Sequence, residues 1–181
     1  MHGTLKHQSP SRVACVIDLD NVLARRGKFR QYARAQLDIC KFKTALKERG
    51  ITKGVVFQNQ SLSAFDIKIW NCLGLDVVSK RTNVDNAVKL QAVNFALEGI
   101  DTLIICASDG GYCKVIKAIR DCGILVEVWC LRESVSTDLM FAADRLSWMD
   151  DMVVEPAPAA VKATSRPAKR NIATATRDIA A

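Results

Sequence analysis

The stretch VIDLDNV, residues 16 to 22, ends a β-forming run in two acids and an asparagine, Asp18, Asp20 and Asn21. Strand interiors disfavour these residue types. Two ionised carboxylates about 4 Å apart repel by around 4 kcal/mol at an effective dielectric near 20. Such a pair calls for a compensating charge: a divalent metal, a neighbouring Lys or Arg, or a proton held by one acid. Two further acids, Asp85 and Asp109, stand where later strands give way to helices. Asp18, Asp85 and Asp109 together offer hard oxygen donors, which suit Mg²⁺ or Mn²⁺ held by a few carboxylates and completed by water and phosphate oxygens. The chemistry expected of such a site is phosphodiester hydrolysis by an activated, oriented water. Asn21 and Ser108 are candidates for hydrogen bonds that fix the carboxylates, and Gly110 and Gly111 leave room for a phosphate at the start of a helix. Read singly, each acid is as good a helix N-cap as a ligand. Three on one rim favour the metal.

The positive charges are placed to match. LARRGKFRQYARAQ, directly after the first acids, carries Arg25, Arg26, Lys28, Arg30 and Arg34, with Phe29 and Tyr32 among them. A cationic loop beside an acidic pocket suits a polyanion, since phosphates flanking the scissile one need positive partners. The two aromatic rings are candidates to stack on bases. Lys80 and Arg81, just before Asp85, extend the same groove. A net charge of +7 agrees with a nucleic-acid partner. RNA is the expected one.

Positioning these residues requires alternating strands and helices. Residues 12–18, 53–60, 75–79, 101–107 and 124–130 read as strands, the fourth a continuous apolar run of the kind buried in a parallel sheet. Helical patterns separate them, the first running from Phe29 to Gly50, the second opening at Ser61 or Ser63, and the third placing Val84, Val88 and Phe95 on one face. This alternation predicts an α/β fold, three layers in α/β/α order, around a mostly parallel five-stranded sheet. Sites in such sheets form beyond the carboxyl ends of the strands. That rule gathers Asp18, Asp20, Asn21, Asp85, Ser108 and Asp109 on one rim.

Seven cysteines, odd in number and without C-x-x-C spacing, read as core residues in a reducing compartment, so the expected location is the cytoplasm. No leader-like start and no apolar stretch of roughly 20 residues argues for a membrane. Residues 12–154 form the expected domain, after a flexible N-terminus at 1–11. Residues 155–181 carry five basic residues against Glu155 and Asp178, three prolines and no aromatic ring. Too apolar-poor to order itself, that segment reads as a disordered basic tail. Trp70, Trp129 and Trp148 fit either a core or an interface, which leaves a homodimer open.

VIDLDN, NVDNAVKLQAV, IICASDGGYCKVIKAIRDCGILVEVW and STDLMFAAD, in that order over residues 12 to about 150, resemble the NYN domain of the PIN-like nuclease superfamily. The resemblance implies a Rossmann-like α/β/α domain and a metal-dependent ribonuclease site. It matches Asp18 to the family's first acid, Asn21 to the asparagine three residues on, Asp85 and Asp109 to two later acids, and Asp144 to an acid near the last helix. Two family acids are replaced, by Gln91 and Gly111, and Asp20 is the nearby candidate to substitute for one. A PIN-like RNA-binding module without turnover is the alternative these replacements support. DLDNV also looks like the opening motif of haloacid-dehalogenase-type phosphatases, with Asp18 and Asp20 as its acid pair, although the late acid pair of that family is missing.

Overall fold

A computed structural model of the protein describes residues 11–23, 36–59, 62–82 and 84–154. Arg25, Arg26, Lys28, Arg30, Phe29, Tyr32, the first seven residues of the expected long helix and the basic tail lie outside them.

β1 (Val13–Asp18) lies inside a six-stranded sheet with all six residues buried, as a parallel strand covered on both faces should be. β3 (Ile51–Gln58) and β5 (Thr102–Cys106) flank it. β4 (Leu75–Ser79) lies outside β3, while β6 (Leu125–Cys130) and then β7 (Arg145–Trp148) lie outside β5. Every pairing in this sheet is parallel. The chain therefore builds outward from β1 in one direction, returns, and builds outward in the other. The point of reversal, between β1 and β5, opens a crevice at the carboxyl ends of those two strands.

The sheet has six strands where the sequence pattern gives five. The sixth, β7, is four residues long and only partly buried, so its own pattern does not separate it from the helix before it. Its pairing with β6, from Glu127 opposite Arg145 to Cys130 opposite Trp148, creates it. The first helix also differs. Asp38 caps α2 (Ile39–Glu48) by accepting the amides of Cys40 and Lys41 at 3.1 Å, and β2 (Gln36–Leu37) just before it pairs antiparallel with β8 (Val153–Val154).

Two apolar layers fix the helices. On one face α2 and α3 (Ala64–Cys72) pack Phe42, Leu46 and Trp70 against Ile17, Val56 and Trp129. Phe42 meets both tryptophans edge-on, at centroid distances of 6.1 and 5.9 Å. Trp70 and Trp129 are thus core residues. On the other face α4 (Val84–Leu97), α5 (Cys113–Asp121) and α6 (Thr137–Ala142) pack Val88, Phe95, Ile116 and Leu139 against Val16, Val55 and Val128. No described helix is long and apolar enough to cross a membrane.

One charge is buried inside the sheet itself. Glu127, in the middle of β6, accepts from Arg49 at 2.5 Å, from the Trp129 indole at 2.7 Å and from the Ser147 hydroxyl at 2.6 Å. These bonds tie α2, β6 and β7 together. Burial opposes the charge, but the three donors outweigh it and hold the Glu127 carboxyl below the usual range.

Candidate active site

The acids meet at the crevice between β1 and β5. Asp18 ends β1, 2% exposed, and caps the one-turn helix α1 (Leu19–Val22) by accepting the Asn21 amide at 3.1 Å. Its other oxygen accepts the phenol of Tyr112, which follows Gly110 and Gly111 across the crevice. Burial raises the pKa of Asp18; the Tyr112 and Asn21 bonds offset part of that, and the charges of Asp85 and Asp20 add to it. Tyr112, itself buried, is pushed well above its ordinary value by burial and by the charges of Asp18, Asp85 and Asp109. Its phenol stays a donor. Three acids from three parts of the chain thus act on one hydroxyl.

Asn21 joins the two halves of the crevice. Its side-chain oxygen accepts the amides of Ser108 at 2.7 Å and Asp109 at 3.2 Å, so α1 and the turn after β5 are held in one register. Ser108 is buried but does not bond to a carboxylate, unlike the sequence expectation; its hydroxyl pairs with that of Ser134 at 2.9 Å. Asp109 caps a 3₁₀ turn, Gly110–Tyr112, and its carboxylate takes the Gly111 amide at 3.2 Å. That amide is therefore committed to Asp109 and not to an incoming phosphate. Both the cap and the rim position hold for Asp18 and Asp109. Asp85 stands exposed in the first turn of α4.

Asp20 accepts the amide of Asn59 just beyond β3, and its charge adds to that of Asp85 in raising the pKa of Asp18. With its amide group turned to donate, Asn59 also holds the carbonyls of Arg81 at 2.7 Å and Lys80 at 3.2 Å. Lys80 and Arg81 are exposed beside this rim. Asp144 sits at the opposite end of the sheet, bound to Arg120 and to the Val126 amide near the start of β6.

Sequence spacing missed three residues here. Lys89 stands one helical turn after Asp85, its ammonium 5.4 Å from the Tyr112 ring centroid and 3.9 Å from where a Cβ on Gly111 would lie. Asp85, Lys89 and Asn59 line a cavity of about 320 Å³. The i, i+4 spacing from Asp85 was the signal for Lys89. Tyr112 reads in sequence as one more apolar residue on the buried face of α5. Asp138, exposed in the first turn of α6, lies beside Gly110.

Among the described residues no three Asp, Glu, His or Cys side chains are gathered into a ready metal cage. Mg²⁺ keeps several waters and is held through one or two carboxylates plus substrate phosphates. An open rim of partly exposed carboxylates around a buried one, all oxygen and mutually repelling, fits that mode.

A family model for the NYN domain matches residues 9–150. The crystal structure of a protein of unknown function from Vibrio parahaemolyticus is similar at a TM-score of 0.68 and 19% identity, covering 81% of this chain and 99% of that one. At that identity the likeness speaks for the fold. No curated protein matches the chain in sequence.

Proposed function

The chain belongs to the NYN domain family, whose fold is of nuclease type, and from that premise we propose that it is a metal-dependent ribonuclease. The observation that carries this reading is a buried carboxylate, Asp18, held by Tyr112 and Asn21 at the crevice where Asn21 also binds the Asp109 turn, with the charges of Asp85 and Asp20 opposing its own. A cation among these acids removes that cost. Asp18, Asp85 and Asp109 would hold Mg²⁺ or Mn²⁺, which when bound supplies the Lewis acidity that activates water and steadies the departing oxygen. Tyr112 and the Asn21 amide keep the Asp18 carboxylate in one orientation, and Asn21 sets the Asp109 turn against it. Lys89, facing the cavity with Asp85, neutralises a non-bridging oxygen of the scissile phosphate. Lys80 and Arg81 hold the strand by its phosphates, together with Arg25, Arg26, Lys28 and Arg30.

The competing reading, an RNA-binding module without turnover, is favoured by Gln91 and Gly111, which stand where the family resemblance expects two further acids. Purified full-length protein incubated with labelled single-stranded and structured RNA in Mn²⁺, Mg²⁺ or EDTA separates the two. Cleavage that requires metal supports the nuclease. Binding without cleavage under every metal condition sinks it.

A second expected result concerns positioning. Asn21→Ala leaves the Ser108 and Asp109 amides without their acceptor, at a cost of about 1–2 kcal/mol, and lowers cleavage by roughly 10- to 100-fold. Asn21→Asp keeps an acceptor there but adds a charge between Asp18 and Asp109, so thermal denaturation at neutral pH should show the lost stability returned only when Mn²⁺ is added.

A further inference from the structure

Phe141 is 81% exposed, while Leu139 and Ala142 on the same short helix are fully buried. Its ring belongs to neither apolar layer. The two helices α5 and α6 run side by side from the acid rim toward the opposite end of the sheet. At the rim, Ser136 and Asp138 at the start of α6 lie beside Gly110, in the turn that leads into α5. Just below, the charges of Asp138 and Lys117 both act on the Cys113 thiol. At the far end Arg120 donates to the Ala142 carbonyl and to Asp144, each at 2.7 Å. Phe141 follows Asp138 by one turn of α6, on the flank turned to α5, and so overhangs the groove between the helices.

Below the ring lies a cavity of about 720 Å³ lined by Lys117, Arg120, Asp121, Asp144 and Arg145. Asp144 is already held by Arg120 and by the Val126 amide at 2.9 Å. Lys117 and Arg145 enter no ion pair among the described residues, so the groove keeps a positive balance even with Asp121 in its wall. Single strands are held by cations that track their phosphates and by aromatic rings on which bases stack. A duplex keeps its bases stacked on one another and offers the ring nothing.

We propose that this groove carries the single-stranded RNA leaving the acid rim, with one base stacked on Phe141 and flanking phosphates on Lys117 and Arg145. This rests on the reading of the rim as an RNA site, and it names the substrate class: RNA with a single-stranded extension beside the scissile bond. Stacking on an aromatic ring tolerates any base. The groove therefore selects for strandedness and length rather than for sequence.

The test is fluorescence anisotropy of labelled dodeca-uridylate, and of a blunt RNA duplex of the same length, with the full chain in EDTA. Phe141→Ala should weaken dodeca-uridylate binding roughly 5- to 100-fold and leave the duplex unchanged. Phe141→Trp, which restores a ring, should keep wild-type affinity. Lys117→Gln and Arg145→Gln should each weaken the strand and flatten the dependence of log affinity on log salt by about 0.7. Because Phe141 lies outside both apolar layers, its variants should melt with the wild type. Dodeca-uridylate affinity indifferent to Phe141→Ala, or lost equally for strand and duplex, would overturn the proposal. A protein that binds in this way and never cuts contradicts the ribonuclease reading alone, whereas a wild type without affinity for RNA contradicts both.

Discussion

Asp18→Asn is expected to abolish metal-dependent cleavage and, in the same protein, to raise thermal stability at neutral pH. The first half follows from position. Residues that merely orient a metal ligand cost 10- to 100-fold when removed, so losing the buried ligand itself should exceed roughly 100-fold. The second half follows from charge. The folded-state pKa of Asp18 is raised, by burial first and then by Asp85 and Asp20. A raised acid gives its full stability below its unfolded value, near 3.8, and loses it as pH rises through the folded pKa. At pH 7 the wild type carries that cost and Asp18→Asn does not. The uncharged amide still accepts the Asn21 amide and reaches Tyr112. Thermal melts from pH 3 to pH 8 should show the variant ahead at pH 7 and the advantage vanishing below about 3.8. Adding Mn²⁺ should raise the wild-type Tm and leave the variant where it was. A fall in Tm at pH 7 would mean that Asp18 is a net structural asset and that its charge has been misread.

Glu127→Ala is expected to produce the largest loss of stability. It removes the acceptor shared by Arg49, Trp129 and Ser147. Breaking a buried pair by deleting one partner costs about 3–5 kcal/mol, and the partial exposure of Arg49 draws the figure toward the lower end. For a domain of this size the fall in Tm is about 10 °C. Since the folded pKa of Glu127 is lowered, its contribution is present above the ordinary glutamate value, near 4.5, and is lost as pH falls through the folded pKa. The gap between wild type and variant should therefore narrow in acid. Asp18 and Glu127, both buried carboxylates, have opposite expected signs. Glu127 is matched by an arginine and two neutral donors, whereas Asp18 is set among other acids.

The sequence made the rim legible because one rule, sites beyond the carboxyl ends of parallel strands, applies to positions in the chain and needs no side-chain geometry. Asp18 and Asp109 meet where that rule puts them. Lys89 was less legible. Whether it reaches Tyr112 depends on the rotation of α4, which is set by packing of Val88 and Phe95. Tyr112 was hidden by being both things at once, a core ring and a donor to Asp18. Glu127 left a plain signal, an acid in an otherwise apolar strand, which requires buried partners. Those partners, Arg49 and Ser147, lie in elements whose placement the sequence pattern does not supply. The short strand β7 exists only through β6, and its four residues carry too little periodicity to announce it.

The repulsion among these acids marks a cation site. Titration of the full-length protein with Mn²⁺, followed by electron paramagnetic resonance of the free ion, tests it without reference to RNA or turnover. Expected is Mn²⁺ uptake by the wild type that is lost in Asp18→Asn and in Asp109→Asn and kept in Asp144→Asn, whose carboxylate lies at the other end of the sheet. Uptake unchanged by Asp18→Asn and Asp109→Asn would contradict it.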